Sequence, residues 1–264
     1  MPFVDLHFHS THSDGRTPLG EMVRRARELG IQYFAITDHY SDERFASLYR
    51  RMNRKQLMAY LAEARALGVC TGVEADLLPS GVVALEKSDR PRLDLVIGGL
   101  HQLRGHQFFV GHEPIEDPEG FAREIGEILV GAMRSGLVDV IAHPTKLPDS
   151  IAHLSERLFD EAWEDRVIDT AAETSVALEI NETSRVPGLP FVKKCLARGV
   201  KISLGSDAHE AAQLGRMDYC REMVASAGVQ PGQIFLPPVF LQRKAGFSQE
   251  EAGLPRRESR GGFR

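Results

Sequence analysis

Eight residues suited to hold metal ions stand singly or in pairs where an apolar run of this chain ends. The runs read FVDLHFH with His7 and His9, YFAITDH with His39, CTGVEAD with Glu74, DLVIGGLH with His101, VDVIAH with His143, and VKISLGSDAH with Asp207 and His209. Imidazole nitrogens and carboxylate oxygens suit Zn, Mn and Fe, and so many of them aimed at one place would form a multinuclear site. A single histidine at a strand end is more often bonded to a carbonyl in a core or on a surface. Repetition at six places outweighs that reading. Of the ten histidines, His12, His106, His112 and His153 fall in loop-like or helical surroundings and keep the ordinary one.

For these groups to meet, the runs must be parallel strands whose carboxyl ends share one mouth. Seven strands are expected, over Phe3 to His7, Tyr33 to Thr37, Val69 to Ala75, Leu93 to Gly98, Val138 to His143, Val176 to Asn181 and Val200 to Gly205. Helical periodicity separates most of them, over Pro18 to Leu29, Arg54 to Leu67, Pro118 to Ser135, Ser155 to Thr174, Leu189 to Arg198 and Ala211 to Ala227. In the first helix Thr17 is placed to cap, Pro18 to occupy the first turn and Gly30 to end it. Leu77 to Arg92 is polar and glycine-interrupted, and is expected to be a loop across the mouth. Strand alternating with helix implies an α/β fold with right-handed crossovers. Ligands at every strand end fit a closed barrel better than an open sheet with one switch point. No GxGxxG or Walker motif accompanies a strand-to-helix turn, which disfavours a dinucleotide or P-loop site.

The first strand continues into Ser13-Asp14-Gly15, a turn sequence that brings another carboxylate after the His7 and His9 pair. In order, DLHFHS, SDG, AITDH, GVEAD, VIGGLH, VIAHPT, ALEIN and SLGSDAH resemble the motifs of the PHP (polymerase and histidinol phosphatase) superfamily, over about residues 1 to 215. The combination is far more specific than any single motif. The resemblance implies a distorted (β/α)7 TIM-like barrel, two or three divalent metals at the carboxyl ends of the strands, and phosphoester hydrolysis by a metal-held hydroxide. It implies that His7, His9, Glu74 and Asp207 hold one ion and that Glu74 bridges to a second held by His101 and His143. Asp14, His39 and His209 would hold a third and orient or protonate the leaving oxygen. Either Asp14 or the nearby His12 completes that third set, and the SDG pattern favours Asp14. Asp5 and Asp38 precede ligands, and each is either an acceptor that fixes an imidazole or an ordinary buried strand-end aspartate. Arg185 in EINETSR resembles a phosphate-clamping arginine of the histidinol-phosphatase branch; Arg16 and Lys146 follow ligand loops and are weaker candidates.

The 264 residues suit one barrel over residues 1–242, with a flexible basic tail expected over 243–264. A net charge of −5 disfavours a nonspecific grip on long nucleic acid. Cys70, Cys195 and Cys220 are odd in number and form no CxxC pair, which suggests a reducing compartment. With no signal peptide or membrane-length apolar run visible, a cytoplasmic protein is expected. The favoured function is metal-dependent hydrolysis of a small phosphomonoester, histidinol phosphate or a relative of it. The competing readings are a nucleotide phosphatase or 3'-5' exonuclease-like phosphodiesterase, and a metal-binding scaffold without catalysis.

Overall fold

Apolar runs that must bury both faces have one economical solution, a parallel sheet wrapped by its own crossover helices. The computed structural model describes residues 2–45, 51–110 and 112–241, and has that architecture. Its barrel strands are β1 (Val4–Asp5), β2 (Tyr33–Ile36), β3 (Cys70–Leu78), β4 (Leu95–Gly99), β5 (Val140–Ile141), β6 (Ala177–Asn181) and β7 (Ile202–Gly205). They pair in that order, each parallel to the next. Beyond β7 the chain returns to β1: Leu6 N donates to Leu204 O at 2.9 Å, Asp207 N to His7 O at 2.7 Å and His9 N to Ala208 O at 2.8 Å. These bonds nearly close the barrel and set the two doubly-ligating segments side by side.

The helices are α1 (Leu19–Glu28), α2 (Arg54–Ala66), α3 (Pro118–Arg134), α4 (Glu161–Thr174), α5 (Leu189–Ala197) and α6 (Asp218–Ala227), with a single helical turn at Ser155–Leu158. On α1, Met22, Val23 and Ala26 are buried, as their spacing predicts, together with Leu19, while Leu29, expected on the same face, is only partly buried. Among the described residues no helix is long and apolar enough to cross a membrane.

Several local expectations differ from what the chain does. Thr17 does not cap α1; its hydroxyl accepts from Ala211 N at 3.1 Å, tying the loop after β1 to the loop after β7. The helix expected from Ala211 begins only at Asp218, because Gln213 is used to accept from His209 N at 2.7 Å and Gly215 takes φ +82°. The helix expected over Ser155 to Thr174 breaks at Phe159, and Asp160 restarts it by accepting from Trp163 N at 2.8 Å. Leu77 to Arg92 is not a loop over the mouth. It folds back as Val82–Val83, antiparallel to the end of β3, and Gly81 lies against Gly131 of α3 so closely that neither tolerates a Cβ. The segment expected to be a tail, 243–264, lies outside the described residues.

Candidate metal centre

Six imidazoles and three carboxylates gather at the carboxyl ends of the strands. Glu74 lies in the middle of β3, and no water reaches it (1% exposed). Its Oε1 is 3.0 Å from His101 Nε2 and 3.3 Å from His143 Nε2. Its Oε2 is 3.3 Å from His7 Nε2, 3.7 Å from His9 Nε2 and 2.8 Å from His39 Nδ1. One carboxylate therefore faces five histidines drawn from the ends of four strands, β1, β2, β4 and β5. Asp207 Oδ1 lies 3.2 Å from His9 Nε2 and 3.8 Å from His7 Nε2. Asp14 reaches His209 Nε2 at 3.2 Å and His39 Nε2 at 3.5 Å.

Three of the rings are fixed by an acceptor on the nitrogen that faces away. His7 Nδ1 is 2.7 Å from Glu179 Oε1, His101 Nδ1 is 2.8 Å from Asp76 Oδ1, and His209 Nδ1 is 2.9 Å from Asp207 O. With Nδ1 donating, Nε2 keeps its lone pair, and in all three cases Nε2 is the atom aimed at the cluster. Glycines make room for this arrangement. A Cβ at Gly99 would strike Glu74 Oε1 and His101, and one at Gly205 would strike Glu179 Oε1 and His7. Neither site accepts even alanine without displacing a carboxylate.

The cluster also fits cations by what it leaves unpaired. Buried His9 Nδ1, His39 Nδ1 and Glu74 Oε2 have no hydrogen-bond partner, although the last two approach to 2.8 Å. Their lone pairs converge without the alignment of a hydrogen bond, as donors sharing an ion would. Three sets of side chains lie close enough to share an ion each: His7, His9 and Asp207; His39, Glu74 and His101; and His9, Asp14, His39 and His209.

Electrostatics divides the histidines into two kinds. Burial is the largest single influence on His7, His101 and His209 and opposes their charge, but the carboxylates together outweigh it: Glu179, Glu74 and Asp207 at His7, Glu74 and Asp76 at His101, and Asp14 and Asp207 at His209. His7 is raised well above its ordinary value, and His101 and His209 rise to about 9. Burial wins at His9 and His39, reinforced by His209 for His9, which falls to about 4, and by His9 for His39, which falls to about 3. The carboxylates move down. Burial would raise Glu74, yet His101, His7 and His39 hold it well below the usual range; Asp207 is lowered against burial by His7 and His9, and Asp14 by His209 and His39. Crowded imidazoles cannot all be charged: His9 and His39 also have carboxylates beside them, but they lie against other histidines, whose charge adds to the cost of burial.

All nine residues singled out by motif for metal binding thus lie in this cluster. His12 does not compete with Asp14: its Nε2 is 2.9 Å from Glu63 Oε2, and its ring packs edge-on against Tyr60. Neither Asp5 nor Asp38 touches an imidazole. Asp38 accepts from Ser10 N (2.8 Å), Ser10 Oγ (2.6 Å) and Ser13 Oγ (2.6 Å), which shapes the loop carrying Asp14. Asp5 accepts from Ser206 N at 2.9 Å, and burial pushes its carboxyl up to about 6. The fixing carboxylates are Glu179 and Asp76, which sequence reasoning did not assign. A charged residue inside a strand that is otherwise wholly buried was the available signal for both, since it must be paired.

The cluster opens into a cavity of about 430 Å3 lined by Asp14, His39, Arg51, His101, Gln102, Gln107, Phe109, Val110, Thr183, Asp207 and His209. That volume suits a small organic ligand. The arginine among these residues is Arg51, whose Nε bonds Asp76 Oδ2 at 3.1 Å, so that Arg51, Asp76 and His101 form a chain. Arg185, Arg16 and Lys146 are not among the lining residues. The Arg185 guanidinium lies 4.8 Å over the Tyr219 ring, Arg16 is 80% exposed, and Lys146 Nζ sits between Asp149 at 3.2 Å and the Phe109 ring at 5.3 Å. The three cysteines are buried and form no disulfide; burial raises the Cys195 thiol to about 12 and Cys220 well above its usual value, so neither of these two supplies a thiolate.

The chain is similar to several known proteins. The family described as PHP domain matches residues 5–183. A probable histidinol-phosphatase of Deinococcus radiodurans is 31% identical over 234 residues, covering 80% of this chain and 88% of that protein. The DNA polymerase/3'-5' exonuclease PolX of Bacillus subtilis is 30% identical over 219 residues, covering 81% of this chain; the match spans 35% of that longer protein. Among solved structures, the histidinol phosphate phosphatase of Lactococcus lactis, complexed with zinc, L-histidinol and phosphate, superposes with a TM-score of 0.61, covering 87% of this chain and 95% of that one. At 17% identity this likeness is one of fold.

Proposed function

The chain belongs to the PHP domain family, and from that membership we propose that it is a metal-dependent phosphoesterase acting on a small phosphomonoester, with histidinol phosphate the first substrate to test. The observation that carries the reading is the meeting of the Glu74-centred ligand cluster and the Arg51 guanidinium in one cavity. Two or three ions, drawn from Zn, Mn or Fe, would be held by His7, His9, Glu74 and Asp207, by Glu74, His101 and His143, and by Asp14, His39 and His209. When bound, such ions supply Lewis acidity toward water and offset the charge of a phosphoryl group.

The protein's own residues do the rest. Arg51, with Nε held by Asp76 and a side chain 12% exposed, presents its terminal nitrogens for phosphate oxygens. Asp14, His39 and His209 line the same cavity; His209, whose proton is retained to about pH 9, is the one suited to protonate a leaving oxygen, and Asp14 and His39 to orient it. Three buried cysteines that form no disulfide favour a reducing, cytoplasmic setting.

The test is phosphate release from metal-reconstituted protein with histidinol phosphate, nucleoside and sugar monophosphates, and a single-stranded oligonucleotide. Monoesters are expected to react at least as well as the oligonucleotide. Arg51→Ala should lower kcat/KM about tenfold, the ~1.5 kcal/mol of one charge-assisted contact. Arg185→Ala should do little, because that guanidinium is stacked on Tyr219. No phosphate release with any metal would overturn the reading. A strong oligonucleotide preference that weakens steeply with salt would replace it with an exonuclease.

A second expectation concerns pH. His7, His101 and His209 hold protons at neutral pH without metal, because their values lie above the ordinary one. Ligation needs the neutral ring, so zinc uptake at pH 7.5 should release more than one proton per chain, and affinity should climb from pH 7 to about 9. Calorimetry in two buffers of different ionisation enthalpy measures this, and proton-neutral binding would contradict it.

A further inference from the structure

Beside the ligand cluster stands a wall that the metal chemistry does not use. Gln102–Leu103 and His106–Gln107 form a two-stranded antiparallel hairpin joined by Arg104 and Gly105, both at positive φ (51° and 82°). Gln102 and Gln107 are directly paired, so both amides stand on one face, and both line the cavity. The opposite face is pinned to the body: Leu103 is buried, His106 packs edge-on against Phe121 of α3, and Arg104 Nε bonds Glu124 of α3 at 2.7 Å. Phe108 N donates to His101 O at 3.0 Å, and Phe109 then turns its ring toward the mouth, 38% exposed and edge-on to His143. The wall therefore offers two adjacent amides and one aromatic surface on a rigid support.

We propose that this hairpin selects the leaving group, and that the preferred substrate is a phosphomonoester of an alcohol bearing a neutral planar heterocycle, the chemistry of a nucleoside monophosphate. The inference rests on the phosphoesterase reading for the site and goes beyond it in naming what the phosphate is attached to. Paired primary amides each offer a donor and an acceptor, which matches the alternating edge of a nucleobase, and Phe109 offers a surface for its face. An ammonium-bearing alcohol is served less well. The carboxylates lining the cavity are Asp14 and Asp207, and both already face histidines of the cluster.

Calorimetric binding of adenosine monophosphate and ribose 5-phosphate to the zinc-loaded protein tests the idea, with phosphate release measured in parallel. Adenosine monophosphate should bind roughly tenfold or more tightly than ribose 5-phosphate. Phe109→Ala should bring the ratio of the two affinities close to one, and Gln102→Ala with Gln107→Ala should lessen it, with zinc content and circular dichroism measured for each variant as controls. Equal affinity for the two ligands, or histidinol phosphate binding more tightly than every nucleotide, would overturn the proposal whatever the turnover. If adenosine monophosphate binds preferentially but no phosphate is released from any ester, the proposal stands and the phosphoesterase reading fails.

Discussion

Glu74→Ala is expected to abolish phosphate release, by about a thousandfold or more, and to remove at least two ions per chain. The expectation follows from position. Both oxygens of Glu74 face histidines, His101 and His143 on one side and His7, His9 and His39 on the other. Losing the carboxylate leaves these rings with no shared anion, and the charge retained by His7 and His101 loses a principal support. The variant should fold, because the strand pairs of β3 with β2 and β4 are backbone bonds that the substitution does not touch. His39→Ala is the contrasting case: it should lower occupancy at the two sets His39 belongs to, the one with Asp14 and His209 and the one with Glu74 and His101, and leave the His7, His9 and Asp207 set filled. Elemental analysis with circular dichroism separates chemistry from folding. Full metal content and ordinary turnover in Glu74→Ala would show that the cluster is not the reaction centre.

The ligand cluster was legible in the sequence because eight of its nine members end or interrupt an apolar run, Asp14 in its turn being the exception, and parallel topology carries such positions to one mouth. His7 with His9 and Asp207 with His209 also carry the two-residue spacing that puts side chains on one side of an extended chain. The barrel was legible for the same reason, as seven buried runs separated by amphipathic helices. What stayed hidden depends on which strands are neighbours. Glu179 lies in ALEIN, one of the motifs that carried the family resemblance, but its partners are on β1 and beyond β5, and no local spacing reveals that. Arg51 follows neither a strand end nor a helical stripe, and reaches the cavity only because Asp76 holds its Nε. Conversely, Ala211 to Leu214 reads as a helix, yet a tertiary demand wins, since Gln213 is drawn in to hold the backbone of His209. The hairpin wall was invisible for a similar reason: HQLRGHQ alternates poorly, and its register is set by the Arg104 and Gly105 turn.

Glu179→Gln should weaken binding of the ion nearest His7 by up to about a hundredfold, while leaving the fold and the other sets largely intact. Glu179 Oε1 accepts from His7 Nδ1, and Oε2 accepts from His143 N at 2.9 Å and Asn181 Nδ2 at 3.0 Å. An amide has the same shape but only one acceptor atom. If its nitrogen faces His7, the ring must turn its lone pair to Nδ1 and carry a proton on Nε2, the atom needed for the ion. If the nitrogen faces the other way, the His143 amide and Asn181 lose their acceptor, and His143, held at φ +32°, loses the bond that fixes its backbone. Either arrangement damages ligand geometry rather than the reaction itself. Turnover lost in Glu179→Gln should therefore return as metal concentration rises, with kcat recovering toward the unaltered value, whereas Glu74→Ala should stay inactive at any concentration. Metal titrations of the two variants decide the matter. Unchanged affinity in Glu179→Gln would mean that the His7 ring is held by packing alone, and a loss that excess metal cannot restore would place Glu179 in the chemistry itself.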